Sequence, residues 1–232
     1  MTQLKLLGRG LYSPTEASRL THVPIRRVNR WTRGYWFTDR GKKQWSDPIV
    51  GMGTERLGEA PFLAFADLME IRCLSMLRDA RLSWQGIRTA SVRGKQVLGT
   101  DYPFSSDRFR LVGRQLLAEV SSAANDRQLL DLVRNQFVLD RLVLETMRRG
   151  VHYAGKDAPQ SWNPMGDDRM VVVNPRRAFG APVVLPGGIR TRVLAGAYRA
   201  EQSHEVVAHW YNVSVEAVKD AVEFEASIRK AA

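Results

Sequence analysis

The sequence predicts a mainly α protein of two domains: a winged helix-turn-helix at the N-terminal end, and a small, mostly helical C-terminal domain with short β segments. Three observations predict it. Two short helical patterns split by a proline precede an aromatic hairpin pattern within the first 50 residues. Longer helical periodicities follow, and a turn-rich stretch near residue 155 separates them from a second run of short β and helical segments. The implied divisions are 1–60 for the winged region, 61–155 for a helical connecting and pairing region, and 161–232 for the C-terminal domain.

The first helix begins at "SPTEA". Ser13 has the side chain of an N-cap, Pro14 suits the first helical position, and Glu16 supplies the reciprocal arm of a capping box. This helix stops before Pro24, which opens a second. In the second, Val28 and Trp31 share one face at a spacing of three, while Arg26, Arg27, Asn29, Arg30 and Arg33 cover the remainder. "YWFTDRGKKQWSDPIV" then reads as a hairpin, with Gly41 at the turn and Trp36, Phe37 and Trp45 on the flanking strands. It has the position and charge of a wing.

Helical period resumes at Phe65, Leu68, Met69, Leu74 and Leu77. A break at 80–83 precedes a further short helix through Ile87, and another helical segment is expected from about Asp126 to Arg149. "GVHYAGKDAPQSWNPMGDD" reads as a linker or long loop. Beyond it, "MVVVNP" is a short β run, "GAPVVLPGGIRT" is turn-rich, and helices are expected near 191–199, 203–210 and 215–229.

Charge narrows the class of partner. The chain of 232 residues has a net charge of +11, and residues 1–50 alone carry ten Lys and Arg against three acids. A field of that sign attracts phosphates, so the expected partner is double-stranded DNA bound through the N-terminal end. Arg26, Arg27, Asn29 and Arg30 lie where groove-entering helices touch bases, and arginine and asparagine forks suit guanine and adenine edges. Arg33 and the wing cations Arg40, Lys42 and Lys43 are placed for phosphates, as are Ser13 and Thr15 at the start of the first helix. Pairing of the apolar helices between 61 and 149 predicts a homodimer reading two half-sites.

Catalysis has little support in the sequence, and a non-enzyme without cofactor or metal is expected. His22, His152, His204 and His209 fall in unrelated contexts, and "HEVVAH" spaces its histidines five apart, not the four a zinc-binding helix needs. The single cysteine, Cys73, lies in an amphipathic helical pattern and reads as a small buried hydrophobe. The absence of a long apolar run points to a cytoplasmic protein with no membrane partner.

"SPTEASRLTHVPIRRVNRWTRGYWF" with "FADLMEIRCLSMLRDARLSWQGIRTA" resembles the MerR-type winged helix-turn-helix over about the first 95 residues. The C-terminal third resembles the small domain, long of unknown function, of VapB-like antitoxins that pair with PIN-type ribonuclease toxins. Matching elements are Asn174-Pro175, Gly180 to Val184, Gly187-Gly188-Ile189, Ser203 to Val207 and Ser214 to Val218. The family's Gly-Thr-Arg-Ile turn is absent; Pro186-Gly187-Gly188-Ile189 stands in its place, with Arg190 and Arg192 adjacent. The resemblance implies a longer VapB-like antitoxin that represses its own operon and neutralises a toxin, with Arg190, Arg192, Arg229 and Lys230 as candidate toxin contacts. The acids Glu205, Glu216, Asp220, Glu223 and Glu225 make the C-terminal helices poor DNA readers, in keeping with a protein partner. A stand-alone regulator that senses a small ligand and a nonspecific RNA-binding adaptor are the rival readings.

Overall fold

A computed structural model describes residues 8–51, 56–57, 60–109, 137–155 and 158–230. The chain is mainly α, as the periodicities predict. It opens with α1 (Pro14–Thr21) and α2 (Ile25–Arg33), then the hairpin β1 (Tyr35–Asp39) and β2 (Lys42–Ser46). A minimal pair β3 (Arg56–Leu57) and β4 (Ala60–Pro61) leads into α3 (Phe65–Asp79) and α4 (Trp84–Leu98). After α5 (Phe137–Arg148) come β5 (Val151–Ala154), β6 (Ala158–Trp162), β7 (Val171–Val172), β8 (Val183–Val184) and β9 (Ile189–Arg190). Three helices end the described chain: α6 (Thr191–Glu201), α7 (His204–Tyr211) and α8 (Val215–Lys230).

The buried apolar residues form one cluster extending from Tyr12 to Ile228. At its centre is α3, whose Leu68, Met69, Ile71, Leu74 and Leu77 are all at most 1% exposed. They are consumed by the protomer's own core. Cys73 is buried with them, and burial pushes its thiol up to about 12, so it is held as the neutral, unreactive form.

Three groups on α3 that sequence periodicity does not register tie distant segments to this core. Asp67 accepts from the Ala64 amide at 2.8 Å and closes the start of the helix. Glu70, 2% exposed, accepts from the amides of Phe104 at 3.1 Å and Ser105 at 2.8 Å. The Arg72 guanidinium donates to the carbonyls of Met147 at 2.6 Å and Thr146 at 3.1 Å, at the end of α5, and sits 5.1 Å from the Trp162 ring centroid.

Two segments differ from their sequence reading. The helix read as ending near Ile87 runs 15 residues as α4, because Ser83 caps it and its Gly86, Ala90, Ser91 and Gly94 face is narrow enough to bury; Gly99 ends it in the left-handed conformation. The linker-like stretch around 155 is the antiparallel hairpin β5–β6, with an irregularity between His152 and Tyr153. Trp162 extends that hairpin by exchanging two backbone hydrogen bonds with Val173, at 2.9 and 2.8 Å. Of the helix expected over 126–149, residues 126–136 lie outside the described residues, as do the side chains of Phe137 and Leu139; Val143 packs on the core.

The N-terminal strand-like segment stitches the two halves together. Tyr12 exchanges backbone hydrogen bonds with Leu63 at 2.9 and 2.8 Å, and its buried hydroxyl donates to the Gly180 carbonyl at 2.9 Å. Gly180 has φ +88°, and a Cβ there would lie 2.2 Å from the Tyr12 hydroxyl, so only glycine fits this contact. Next to it, the Leu11 amide donates to the Phe179 carbonyl at 3.1 Å.

Candidate nucleic-acid interface

The first two helices fold as their residues dictate. Ser13 Oγ accepts from the Glu16 amide at 3.2 Å while the Glu16 carboxylate accepts from the Ser13 amide at 2.8 Å, completing a capping box. The helix closes at His22, in the left-handed region, and the buried Ser18 hydroxyl donates to the Val23 carbonyl at 2.7 Å, fixing the turn. Pro24 caps α2 from just outside it, its carbonyl accepting from Arg27 and Val28. Val28 and Trp31 turn inward, at 0% and 4% exposure.

Four arginines remain on the outer surface of α2. Arg26, Arg27, Arg30 and Arg33 are all exposed. The Arg30 guanidinium lies 5.0 Å from the Tyr35 ring centroid and that of Arg27 lies 6.0 Å from Trp31, so aromatic faces restrict both long side chains before any ligand arrives. Asn29 is different. It is half-buried, and its Oδ1 is enclosed without a hydrogen-bond partner among the described residues, so the two-armed fork that adenine recognition needs is not open on both sides.

The wing follows directly. Arg40 and Gly41 both have positive φ, at 45° and 78°, which is the two-residue turn whose twist matches a hairpin. Asp39 faces Lys42 across it, and Thr38 faces Lys43. Gly34 is required where α2 passes into β1: its φ is +74° and a Cβ would meet the Trp45 ring at 2.5 Å. Trp36 and Trp45 form an edge-to-face pair across the strands at 5.4 Å, yet they are 66% and 45% exposed. The wing thus joins exposed rings to the exposed cations Arg40, Lys42 and Lys43.

Behind this surface the helix and wing are braced by α4. Trp31 stacks on Trp84 with centroids 5.8 Å apart and planes 11° from parallel. Arg88, its guanidinium 5.1 Å from the Trp84 centroid, donates to Ser46 Oγ at 2.7 Å and to the Asp47 carbonyl at the base of β2. The amides of Ile49 and Val50 donate to the Trp31 carbonyl at 2.8 and 3.1 Å, returning the chain onto α2. Sequence reasoning missed Trp84 and Arg88; the only signal was a Trp and an Arg four residues apart after a cap.

The remaining candidates are dispersed. Thr15 is exposed in the first turn of α1, whereas the Ser13 hydroxyl is already engaged by Glu16 at 2.8 Å. Arg190 and Arg192, at the start of α6, line a cleft shared with Glu16 and Arg19 of α1. Arg229 lies on the last turn of α8 and donates to the Glu225 carbonyl at 3.2 Å, apart from that cleft; the side chain of Lys230 lies outside the described residues. The C-terminal acids are partly spent on internal contacts. Asp220 accepts from Arg169 at 2.7 Å and from the Met170 amide at 2.8 Å, Glu223 pairs with Arg169, and Glu225 accepts from Thr191. On α7, Val206 and Trp210 are 39% and 58% exposed. No helix among the described residues is long and apolar enough to cross a membrane.

Comparison with known proteins agrees with this arrangement. Over 92% of its length the chain aligns with 92% of "Putative antitoxin VapB45" from Mycobacterium tuberculosis, at 25% identity. It shares its fold with the crystal structure of Rv2018 from Mycobacterium tuberculosis, with a TM-score of 0.74 at 24% identity, covering 93% of this chain and 99% of that one. Residues 10–91, which contain α1, α2, the wing, α3 and the first half of α4, match the family model described as "Putative DNA-binding HTH domain".

Proposed function

We propose that the chain is the antitoxin of a type II toxin–antitoxin pair. It binds operator DNA as a homodimer through α2 and the wing, represses its own operon, and neutralises a PIN-type ribonuclease toxin through its C-terminal domain. The observation that carries the DNA half is the row Arg26, Arg27, Arg30 and Arg33, exposed on a helix seated by buried Val28 and Trp31 and continued by a basic wing. Helix, wing and the following α3–α4 pair stand in the order of a MerR-type head. Thr15 and the wing cations Arg40, Lys42 and Lys43 hold phosphates, Ser13 contributes by fixing the start of α1, and Asn29 touches a base edge with its outer arm.

The toxin half is supported by the nearly full-length alignment with the VapB45 relative. Arg190, Arg192, Arg229 and Lys230 supply cations for a carboxylate-lined toxin site, and Val206 and Trp210 on α7 supply an apolar anchor. Co-expression of the full chain with the product of the adjacent gene tests this half. Co-purification with loss of ribonuclease activity is expected; an active ribonuclease in the presence of excess chain overturns it. The DNA half is tested separately, by titrating the upstream palindrome against scrambled duplex and single-stranded RNA at one salt concentration. Equal binding to all three would place the protein among nonspecific polyanion binders.

A further inference from the structure

A cleft of about 300 Å³ lies between α1 and the C-terminal half. Its size is at the lower end of small-molecule sites, which run to about 1,000 Å³. Its lining is partly apolar, with Leu20, Pro182, Ile228 and Phe179. It is also charged. Arg19 from α1 shares it with Arg190 and Arg192 from the end of β9 and the start of α6, and none of the three has an ion pair or side-chain hydrogen bond to a described residue.

The two carboxylates on the cleft do not neutralise those guanidiniums by contact. Glu16 is held by the Ser13 amide and hydroxyl, both at 2.8 Å, and Glu225 by the Thr191 hydroxyl. Among the described lining residues, three cations against two anions leave the cleft with one formal positive charge. Phe179 forms its rim in an unusual way. It and Ala178 are consecutive non-glycine residues in the left-handed region, at φ 59° and 47°, and the Phe179 ring is still 57% exposed. A strained backbone that presents a large apolar ring to solvent, beside cations that have no ion pair among the described residues, has the composition of a site awaiting an apolar body with an anionic end.

We propose that this cleft binds a small amphipathic monoanion, its carboxylate set among Arg19, Arg190 and Arg192 and its apolar body against Leu20, Pro182, Ile228 and Phe179. The concave wall favours a small molecule over a protein surface. The proposal touches neither α2 nor the wing; it shares Arg190 and Arg192 with the toxin reading, but its test contains neither DNA nor toxin, so the two can fail separately.

The experiment uses the full-length chain. 1-Anilinonaphthalene-8-sulfonate serves as the fluorescent anionic probe, and decanoate and decanol compete as an anion and its uncharged counterpart. Saturable binding at one probe per chain is expected, with decanoate displacing it at least tenfold more effectively than decanol. Arg19→Gln with Arg192→Gln, both at exposed positions, should weaken probe and decanoate binding at least tenfold, whereas Lys219→Gln on the solvent side of α8 should leave both unchanged. Equal competition by decanol overturns the proposal without recourse to any variant. So does undiminished decanoate binding in the double variant, and so does binding that fails to saturate; a cleft that ignores small anions would be left to a side chain of a protein partner.

Discussion

Removing the Arg72 guanidinium should cost the protein a large part of its stability, and the structure allows the size to be worked out. The residue is 7% exposed and has no carboxylate partner among the described residues; it is held by the carbonyls of Met147 at 2.6 Å and Thr146 at 3.1 Å, with a longer approach to the Arg149 carbonyl at 3.4 Å. Charged hydrogen bonds contribute about 1.5–3 kcal/mol each. Two of them plus the face of Trp162 suggest a gross loss of about 5 kcal/mol. Against this, burial already lowers the guanidinium's pKa, which shows that desolvation opposes it, and that opposition vanishes with the charge. A net loss of about 3 kcal/mol remains for Arg72→Met, which keeps most of the stem and leaves the Met147 carbonyl without its donor. With a urea slope of about 3 kcal/mol/M, the unfolding midpoint should fall by about 1 M. Arg72→Lys should fall in between, since an ammonium cannot fork across two carbonyls. Arg93→Met, exposed on α4, should stay within about 0.5 kcal/mol of the parent. A midpoint for Arg72→Met within about 0.2 M of the parent would refute the view that this residue closes the end of α5.

Other outcomes follow from the same contacts. Replacing Arg27 or Arg30 with alanine should weaken operator binding by about 1–3 kcal/mol each and relax sequence preference, whereas Lys42→Ala and Lys43→Ala should weaken all duplexes alike and each reduce the salt slope by about 1; salt-controlled titrations separate the two, and unchanged affinity would remove the arginines from the groove. Burial holds the Glu70 carboxyl up to about 7 against 4.5 for an ordinary glutamate, so the folded state keeps a proton that the unfolded chain has released. Its contribution is therefore full below about pH 4.5 and is lost as the pH rises to about 7, a change of about 3 kcal/mol that Glu70→Gln should abolish in urea melts across that range. Gly180→Ala should destabilise by more than Tyr12→Phe, since it adds both a left-handed strain and a clash with the Tyr12 hydroxyl, while Tyr12→Phe only removes one buried hydrogen bond of about 1 kcal/mol. The reverse order in thermal melts would contradict that contact.

Local signals made the N-terminal geometry legible. Ser13 and Glu16 announce their cap, Val28 and Trp31 their inward face, and Gly41 the wing turn, because each effect acts within four residues. The C-terminal helices were equally plain, since Ser203 and Ser214 mark their starts. What escaped depends on contacts between distant parts of the chain. The Tyr12 hydroxyl meets Gly180 across 168 residues, and Arg72 meets α5 across about 75. Hairpin β5–β6 was hidden because Gly155 and Pro159 mask short strands whose pairing is irregular. The site was legible to the same degree. The cations of α2 and the wing stand out in the sequence, but the Trp84 and Arg88 brace and the meeting of Arg19 with Arg190 and Arg192 arise only from tertiary packing.

The stack of Trp31 on Trp84 has a spectroscopic consequence. Two indoles 5.8 Å apart and within 11° of parallel are close enough for their electronic transitions to couple, so the pair should give a signed circular dichroism feature that neither ring has alone. One ring belongs to the arginine-bearing helix and the other to the helix that braces it. Trp36 and Trp45 on the wing couple as well, so the part of the signal that Trp84→Phe removes is the built-in optical gauge of how that helix is seated, readable without a label as DNA or any other ligand is added.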